Sequence, residues 1–510
     1  MNRRLFLKLS ATTLIGVIGC QNRDRQTISS PYDITVTSDM QAGHQLLWPT
    51  PLARGEQLDT EYIIVGGGLA GLSAAEQLAD RDFILCELSV GLGGSSGHAS
   101  YAGESFSQGA HYDLAYPANY GRETLALLEK LKIVAHDPIQ NCWNFADKQY
   151  LIRELKAGQI QTETGFQSEV LKPGPLKTAF LELVLPYQGQ MKMPTRLIDQ
   201  ELRWLDQITF RQFLARSLDL TPDFERAIDY QMRDDYGARA DQVSALAGIH
   251  YYTCRPYYTE SVELFSPPEG NYYFVKKLVS RLDPQRLKNQ HLVKRIERDG
   301  SGFQVEVIDL SKKALNTYQA KFVVFAGQKH SLQYIFEPDQ HLFSHNVYAP
   351  WLVINLVLSA RLNTDGFWQN EILAETSTVN KKTFMGFVDN ATQVRHNPDY
   401  RILTAYYCFT PDQRQILADI ETHAESIVER TVTQINNYFN QDISPLIERV
   451  FLKLMGHAMP IPKVNYLFDD QNRYRSEPGL VYAGVDNSRL PLLFEAMDSG
   501  IQAVKLLDQI

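Results

Sequence analysis

A glycine-rich stretch early in the chain has the residue types and spacing that bind phosphates. Residues 66–71 read Gly-Gly-Gly-Leu-Ala-Gly, which fits the pattern G-x-G-x-x-G. Gly66 permits a tight turn, Gly68 allows phosphates to approach the backbone, and Gly71 allows a helix to pack on a strand. Glu87 follows Gly66 by 21 residues, where a carboxylate accepts hydrogen bonds from ribose hydroxyls. The predicted dinucleotide site comprises Gly66, Gly68, Leu69, Ala70, Gly71 and Glu87.

A strand, a helix and a second strand must surround these glycines for the site to form. Residues 62–65, Tyr-Ile-Ile-Val, form a short apolar run that is typical of a buried parallel strand. Residues 72–78 have helical apolar spacing, and the N-terminus of such a helix offers N–H groups and partial positive charge to phosphates. Residues 82–87 form the second strand. These elements predict a nucleotide-binding unit but do not distinguish NAD from FAD, and a purely structural glycine turn is the alternative.

Two segments that follow Glu87 indicate which nucleotide is bound. Residues 91–96, Gly-Leu-Gly-Gly-Ser-Ser, and residues 106–111, Phe-Ser-Gln-Gly-Ala-His, resemble the glycine-pair and D-x-G-A segments of the flavin amine oxidase superfamily. That superfamily also contains protoporphyrinogen oxidases and phytoene desaturases. The resemblance implies non-covalent FAD, with the first segment near the ribityl and phosphate groups and the second beside the isoalloxazine ring. The contacts it implies are Gly93, Gly94, Ser95, Gly109, Ala110 and His111.

The same two segments depart from the superfamily's pattern. Gly91 and Ser95 stand where the superfamily usually has arginines, so less positive charge is available to the phosphates. Ser107 or Gln108 stands where an acid is common.

The middle and the end of the chain contain three more segments of this kind. Residues 292–307 alternate as a hairpin and residues 320–327 form a buried strand, which resembles the superfamily's V-x-x-I hairpin and strand ending in alanine. Residues 479–484 form a strand ending in Ala-Gly, and a helix is predicted at about residues 492–507. In the superfamily the N-terminus of that helix points at the N1–C2=O edge of the flavin. The contacts that these segments imply are Val293 with the adenine, Ala326, Gly484, Asp486 (offset by one from the usual acid), Leu493 and Phe494.

Chain length and the order of these segments predict the domain organisation. A chain of 510 residues exceeds one hydrophobic core, so we expect an α/β fold with two domains. The Rossmann-like FAD-binding domain is discontinuous, and the substrate domain has an α+β composition of helices and an antiparallel sheet. The predicted ranges are 60–112, 266–335 and 465–510 for the first domain, and 113–265 and 336–464 for the second. A net charge of −9 with no long Lys/Arg run argues against a nucleic-acid partner.

Few residues of the predicted substrate domain have a type and position that suggest chemistry. His457 is a candidate acid/base group, although an isolated histidine is more often structural. Asp234 and Asp235 lack the ligand count of a metal site and are predicted to form a turn.

True amine oxidases place an aromatic residue near residues 491–493, which here are Pro-Leu-Leu, and their covalent flavin cysteine has no match. The resemblance therefore implies a substrate other than a simple primary amine.

The N-terminal residues resemble an export signal. Arg3 and Arg4 precede a short apolar stretch in the manner of a twin-arginine motif, and residues 17–20 look like a bacterial lipobox that would lipidate Cys20. The expected location is the periplasmic or extracytoplasmic side of a membrane, and an uncleaved N-terminus is the alternative. Residues 21–30 are predicted to be a tether, and residues 31–60 an irregular surface segment. The sequence does not determine whether the other cysteines form disulfides or how they would pair. These are Cys86, Cys142, Cys254 and Cys408.

Three functions follow from these features. The first is a flavin oxidoreductase, in which a small-molecule substrate passes a hydride to FAD and oxygen or a membrane acceptor reoxidises it. The second is a flavin-dependent isomerase or mutase without net redox change. The third is a lipoprotein that only binds its ligand, which the intact glycine pattern disfavours.

Overall fold

Strands and helices alternate along much of the chain. The structure is a computed structural model, and it describes residues 31–48, 50–111, 113–114, 119–152, 160–254, 264–339, 341–359, 369–373, 383–393, 400–468 and 478–509. The strands are β1 (Ile34–Thr37), β2 (Ala53–Val65), β3 (Phe83–Glu87), β4 (His98–Tyr101), β5 (Glu104–Ser107), β6 (Asp113–Leu114), β7 (Val134–Asp137), β8 (Cys142–Phe145), β9 (Leu151–Ile152), β10 (Ile160–Thr162), β11 (Gly165–Gln167), β12 (Leu264–Phe265), β13 (Leu287–Asn289), β14 (His291–Asp299), β15 (Gly302–Asp309), β16 (Ala314–Phe325), β17 (Tyr348–Leu358), β18 (Gln369–Glu371), β19 (Phe384–Asp389), β20 (Arg401–Cys408), β21 (Ile447–Pro460) and β22 (Leu480–Tyr482).

The helices include several with side-chain N-caps, which satisfy backbone N–H groups that have no partner inside the helix. Thr209, Thr221 and Ser244 are such caps. No helix among the described residues is sufficiently long and apolar to cross a bilayer. The α-helices are α1 (Met40–Gly43), α2 (Leu69–Gln77), α3 (Arg122–Lys130), α4 (Pro175–Val184), α5 (Arg203–Asp206), α6 (Phe210–Ala215), α7 (Pro222–Tyr236), α8 (Ala245–Thr253), α9 (Tyr272–Val279), α10 (Leu332–Ile335), α11 (Gln415–Thr422), α12 (Ala424–Phe439) and α13 (Leu493–Leu507).

One sheet has the parallel core of a nucleotide-binding fold. Its parallel strands run in the order β13, β3, β2, β16, β22. The first half of β16 pairs with β15 in an antiparallel meander that continues to β14. Ile63 and Ile64 are fully buried, as expected for an apolar run that is covered on both faces of a parallel sheet. The predicted strand–turn–helix–strand unit, the hairpin and the α/β fold class are confirmed.

The second large sheet has six strands in the order β1, β21, β17, β20, β19, β18. Its pairs are antiparallel except for β1, which runs parallel to β21. All of β17 is buried, so this central strand is covered on both faces of the sheet. Helix α12 packs on one face through a contact between Tyr407 and Thr431. The two large sheets belong to one compact unit, Ile34–Ile510.

The structure corrects two predictions about local elements. Residues 31–60 are not irregular, because they contain β1, α1 and the first part of β2. This part of β2 is exposed and polar, so it lacks the apolar pattern of a strand, and it is held by backbone pairing with β16. Asp234 and Asp235 lie in α7 rather than in a turn, because the helix continues to Gly237, whose φ of +70° ends it.

The described helices and strands do not test the remaining predictions. Arg3, Arg4, Cys20 and the tether lie outside the described residues. The domain boundaries remain predictions. Cys86 and Cys408 are buried free thiols.

Candidate nucleotide site

The glycine turn between β2 and α2 has the geometry that its sequence pattern predicts. Gly66 has a φ of +101°, and its N–H donates to the Cys86 carbonyl oxygen at 2.8 Å. A Cβ atom on Gly71 would overlap the Gly66 carbonyl oxygen, so only glycine allows the helix this close to the turn. The Gly67 N–H donates to Oε2 of Glu87 at 2.6 Å, which fixes the carboxylate at the end of β3.

Gly68 faces open space at the N-terminus of α2. A Cβ atom placed on Gly68 would meet no atom within 4 Å. Gly68 is the N-cap residue, so Leu69 and Ala70 begin the helix and their N–H groups have no acceptor within it. The space in front of Gly68 therefore combines N–H groups that have no acceptor inside the helix with the positive end of the helix dipole, an arrangement that attracts phosphate.

The second glycine pair lies directly beside the first turn. The Gly93 N–H donates to the Gly67 carbonyl oxygen at 2.8 Å, and Gly93 has a φ of +118°. A Cβ atom on Gly94 would lie 3.4 Å from the Gly68 Cα atom. Ser95 is exposed. The two glycine segments thus form adjoining walls of one backbone-lined site.

Residues 107–111 join this site to the six-stranded sheet. A Cβ atom on Gly109 would overlap the Ser95 carbonyl oxygen, so the segment lies against the second glycine pair. The Tyr406 hydroxyl donates to the Gly109 carbonyl oxygen at 3.0 Å, and the His111 ring lies 5.1 Å from the Tyr406 ring. Ala110 accepts a backbone hydrogen bond at 3.0 Å from the residue that precedes α9.

A buried asparagine supports residues 107–111 from the centre of β17. Asn355 Nδ2 donates to the Ser107 carbonyl oxygen at 2.9 Å and to Thr404 Oγ1 at 3.0 Å, and Gln108 Nε2 donates to its Oδ1 at 3.3 Å. Asn355 is an isolated polar residue in an apolar strand. Because a buried amide needs hydrogen-bond partners, its position in the sequence could have indicated a buried contact.

The carboxyl ends of β16 and β22 meet the glycine turn. The Ala326 N–H donates to the Val65 carbonyl oxygen at 2.8 Å, and a Cβ on Gly66 would lie 3.0 Å from the Ala326 carbonyl. Gly484 has a φ of +126°, and its N–H donates to Ser499 Oγ on α13 at 2.8 Å. Segments from both ends of the polypeptide therefore converge at one edge of the parallel sheet.

Helix α13 packs closely on α2. A Cβ atom on Gly500 would overlap the Ala70 carbonyl oxygen, so a glycine is required where the two helices cross. Leu493 and Phe494 begin α13, and both side chains are buried. The Phe494 ring lies 3.9 Å from the Tyr120 ring, so only the backbone N–H groups of this first turn remain for a ligand.

Asp486 is held by a buried lysine. Lys329 Nζ lies 2.9 Å from Asp486 Oδ1, and the Lys329 N–H donates to Oδ2 at 2.7 Å. The Tyr348 hydroxyl also donates to Oδ2, at 2.8 Å. Burial lowers the pKa of Lys329, whereas the charge of Asp486 raises it. Lys329 was not predicted as a site residue, although a lysine two residues after the Ala-Gly pair that follows β16 is an unusual position that could have indicated it.

Val293 and His457 lie at positions where side chains are largely packed. Val293 is 2% exposed and packs in the core beneath the parallel sheet. The His457 ring stacks on the His330 ring with 3.7 Å between centroids. Burial, with the neighbouring His330, lowers the pKa of His457 to about 3, so the ring is neutral near pH 7 and is a weak base there. The roles predicted for Val293 and for His457 remain predictions.

A second buried charge cluster, also missed from the sequence, anchors α13. Arg489 Nη1 lies 2.8 Å from Asp498 and 3.4 Å from Glu495. The Thr195 N–H donates to the same Glu495 carboxylate at 2.6 Å. The cluster fixes the start of α13 relative to the segment around residue 195, which no local pattern predicts.

Comparisons with known proteins agree with this architecture. A profile described as an NAD(P)-binding Rossmann-like domain matches residues 64–131. No curated protein sequence matches the chain. Among solved structures, a putrescine oxidase variant is similar with a TM-score of 0.62 at 13% identity, over 89% of this chain and 100% of that one.

Two further solved structures have the same fold. Cyclohexylamine oxidase from Brevibacterium oxydans IH-35A has a TM-score of 0.61 at 13% identity, over 88% of this chain and 99% of that one. An oxidoreductase from Methanosarcina mazei has a TM-score of 0.56 at 11% identity, over 87% and 100%. The chain thus has a Rossmann-like sheet within the two-domain fold of the amine oxidases.

Proposed function

We propose that this chain is an FAD-dependent oxidoreductase. The observation that carries the proposal is the open, backbone-lined site at Gly68, where the two glycine segments meet and α2 begins, packed against the C-terminal helix α13. When bound there, FAD would supply a hydride acceptor for a substrate C–H bond.

The residues present fit the phosphate and ribose parts of FAD. The Leu69 and Ala70 N–H groups would hold a phosphate at the helix N-terminus, and Gly68 and Gly94 leave room for it. Glu87 accepts hydrogen bonds from the Gly67 and Ser89 N–H groups, one on each carboxylate oxygen. Each oxygen has a further lone pair, so Glu87 can still accept from ribose hydroxyls.

The environment of residues 107–111 supports a substrate of low polarity. This segment is held by Tyr406 and Asn355 on the buried face of the six-stranded sheet, and the Trp351 ring lies 6.4 Å from the Tyr406 ring. We therefore propose a substrate that is larger or less polar than a simple primary amine, oriented by apolar contacts rather than by an ion pair.

An absorbance spectrum followed by anaerobic substrate mixing tests the proposed function. The purified protein should show flavin absorbance, and a true substrate should bleach it because the hydride reduces the flavin. A protein that is colourless and cannot be reconstituted with FAD would contradict the proposal. Turnover without bleaching would instead support a flavin-dependent isomerase or mutase.

Export and lipid attachment are a separate proposal that rests on the N-terminal sequence alone. We propose that the twin-arginine motif at Arg3 and Arg4 directs the folded chain out of the cytoplasm, and that Cys20 carries the lipid. Cys20→Ala should then move the protein from the membrane fraction to the soluble extracytoplasmic fraction. An unchanged distribution would contradict lipid anchoring.

A further inference from the structure

A cavity lies at the end of the six-stranded sheet where β19 begins and β20 ends. Tyr406 and Tyr407 are neighbours in β20, so their side chains point to opposite faces. The Tyr406 hydroxyl reaches Gly109, whereas the Tyr407 hydroxyl lies 2.8 Å from Thr431 Oγ1 on α12. Tyr407 lines the cavity. None of residues 107–111 lines the cavity.

The cavity is formed between α7, whose C-terminal end packs on the Tyr406 face at Ala349 and Trp351, and α12, which packs on the Tyr407 face. The centres of water-sized spheres have about 90 Å³ inside the cavity, and the empty space is about 980 Å³ when the open mouth is included. The enclosed part has room for several water molecules or for a group such as a carboxylate or phosphate. A longer ligand would extend along the mouth towards solvent.

The charged residues in the cavity wall are mostly arginines. The single carboxylate among the described wall residues is Asp229, and burial raises the pKa of that group. This concentration of positive charge stands in a chain whose net charge is −9. The four arginines of the wall are Arg226, Arg233, Arg239 and Arg430.

The ion pairs that Arg226 and Arg239 make leave part of their charge available to a ligand. Arg226 pairs with Asp223 and Arg239 pairs with Asp241, and both of these carboxylates lie outside the cavity wall. The two pairs are well exposed, and exposed ion pairs are weak because water competes for them. Burial lowers the pKa of Arg233, which means that its charge is partly desolvated and would gain from a bound anion.

Apolar side chains cover the rest of the wall. Phe384 begins β19, Phe409 follows β20, and Ile416 and Ile427 come from α11 and α12. An inorganic anion would contact the arginines but would leave these side chains facing water. A neutral apolar ligand would gain nothing from the positive charge of the wall.

We propose that this cavity binds an anionic amphiphile, with a carboxylate or phosphate headgroup among the arginines and an apolar chain along the phenylalanine and isoleucine side chains. Guanidinium groups suit either headgroup because they donate two parallel hydrogen bonds to its oxygens. The site is distinct from the proposed FAD site, so its occupancy does not depend on whether the chain binds a flavin.

Isothermal titration calorimetry of the full chain tests the proposal with four probes: decanoate, decyl phosphate, decanol and inorganic phosphate. We expect 1:1 binding of decanoate or decyl phosphate, and at least tenfold weaker binding of both decanol and inorganic phosphate. If inorganic phosphate binds as tightly as decyl phosphate, the proposal of an amphiphilic ligand is wrong and the cavity is a site for free phosphate. The absence of binding by both amphiphilic anions would also overturn the proposal.

A pair of matched variants separates this cavity from non-specific charge effects. Arg430 is exposed on α12, so Arg430→Gln is expected to fold. Because a hydrogen bond to a charged group is lost, binding of the tighter amphiphile should weaken by roughly ten- to hundredfold. Arg216→Gln removes an exposed arginine that is not part of the wall, and binding should be unchanged. Equal effects of the two variants, or no effect of Arg430→Gln, would contradict the assignment.

Discussion

Replacement of Gly68 by glutamate tests the nucleotide site without disturbing the fold. Gly68 has a φ of −73° and a ψ of 179°, which any residue adopts, and a Cβ atom there would meet nothing within 4 Å. The free protein should therefore fold normally. The new carboxylate would lie about 5 Å from a bound diphosphate, where each phosphate charge repels it by about 3 kcal/mol at an effective dielectric constant of about 20. Two such repulsions weaken binding by about 10⁴-fold or more.

The assay is the ratio of flavin to protein absorbance after purification, together with circular dichroism. We expect Gly68→Glu to be colourless and to have the wild-type spectrum in the far ultraviolet. Gln77→Glu adds the same charge at the other end of α2, where the side chain is exposed, and should retain the flavin. A Gly68→Glu protein with full flavin content would refute the placement of the phosphates.

Three further predictions concern stability. Gly500→Ala should lower the free energy of unfolding by at least roughly 1–3 kcal/mol, measured by urea denaturation, because the added Cβ overlaps the backbone of α2. Lys329→Met should lower it by about 3–5 kcal/mol because Asp486 is left buried without its cation, and Lys329→Met/Asp486→Leu should recover part of the loss. Burial lowers the pKa of His330 to about 4 and that of His457 to about 3, from 6.5, so the unfolded chain binds more protons below pH 6.5 and stability falls from there towards pH 3. Replacement of both histidines by glutamine should make the melting temperature depend less on pH over that range. A pH dependence as steep as that of the wild type would contradict the lowered pKa values of the two histidines.

The segments with short-range patterns were predictable from the sequence. The run 62–65, the three glycines and Glu87 place a strand, a turn, a helix and a second strand in order, because each element depends on residues only a few positions apart. The hairpin of β14 and β15 and helix α13 were predicted in the same way. In contrast, the polar first part of β2 carries no apolar alternation, so its pairing with β16 was missed.

The sequence by itself determined the phosphate-binding turn, because glycine spacing restricts the local backbone whatever surrounds it. Only the tertiary structure decided which side chains share a buried environment. Lys329 and Asp486 are 157 residues apart, and their ion pair exists because β16 and β22 are neighbours in the sheet. Arg226 and Arg430 meet in one cavity because α7 and α12 both pack against the same sheet. Such contacts depend on the packing of every intervening element, which residue types and spacing do not specify.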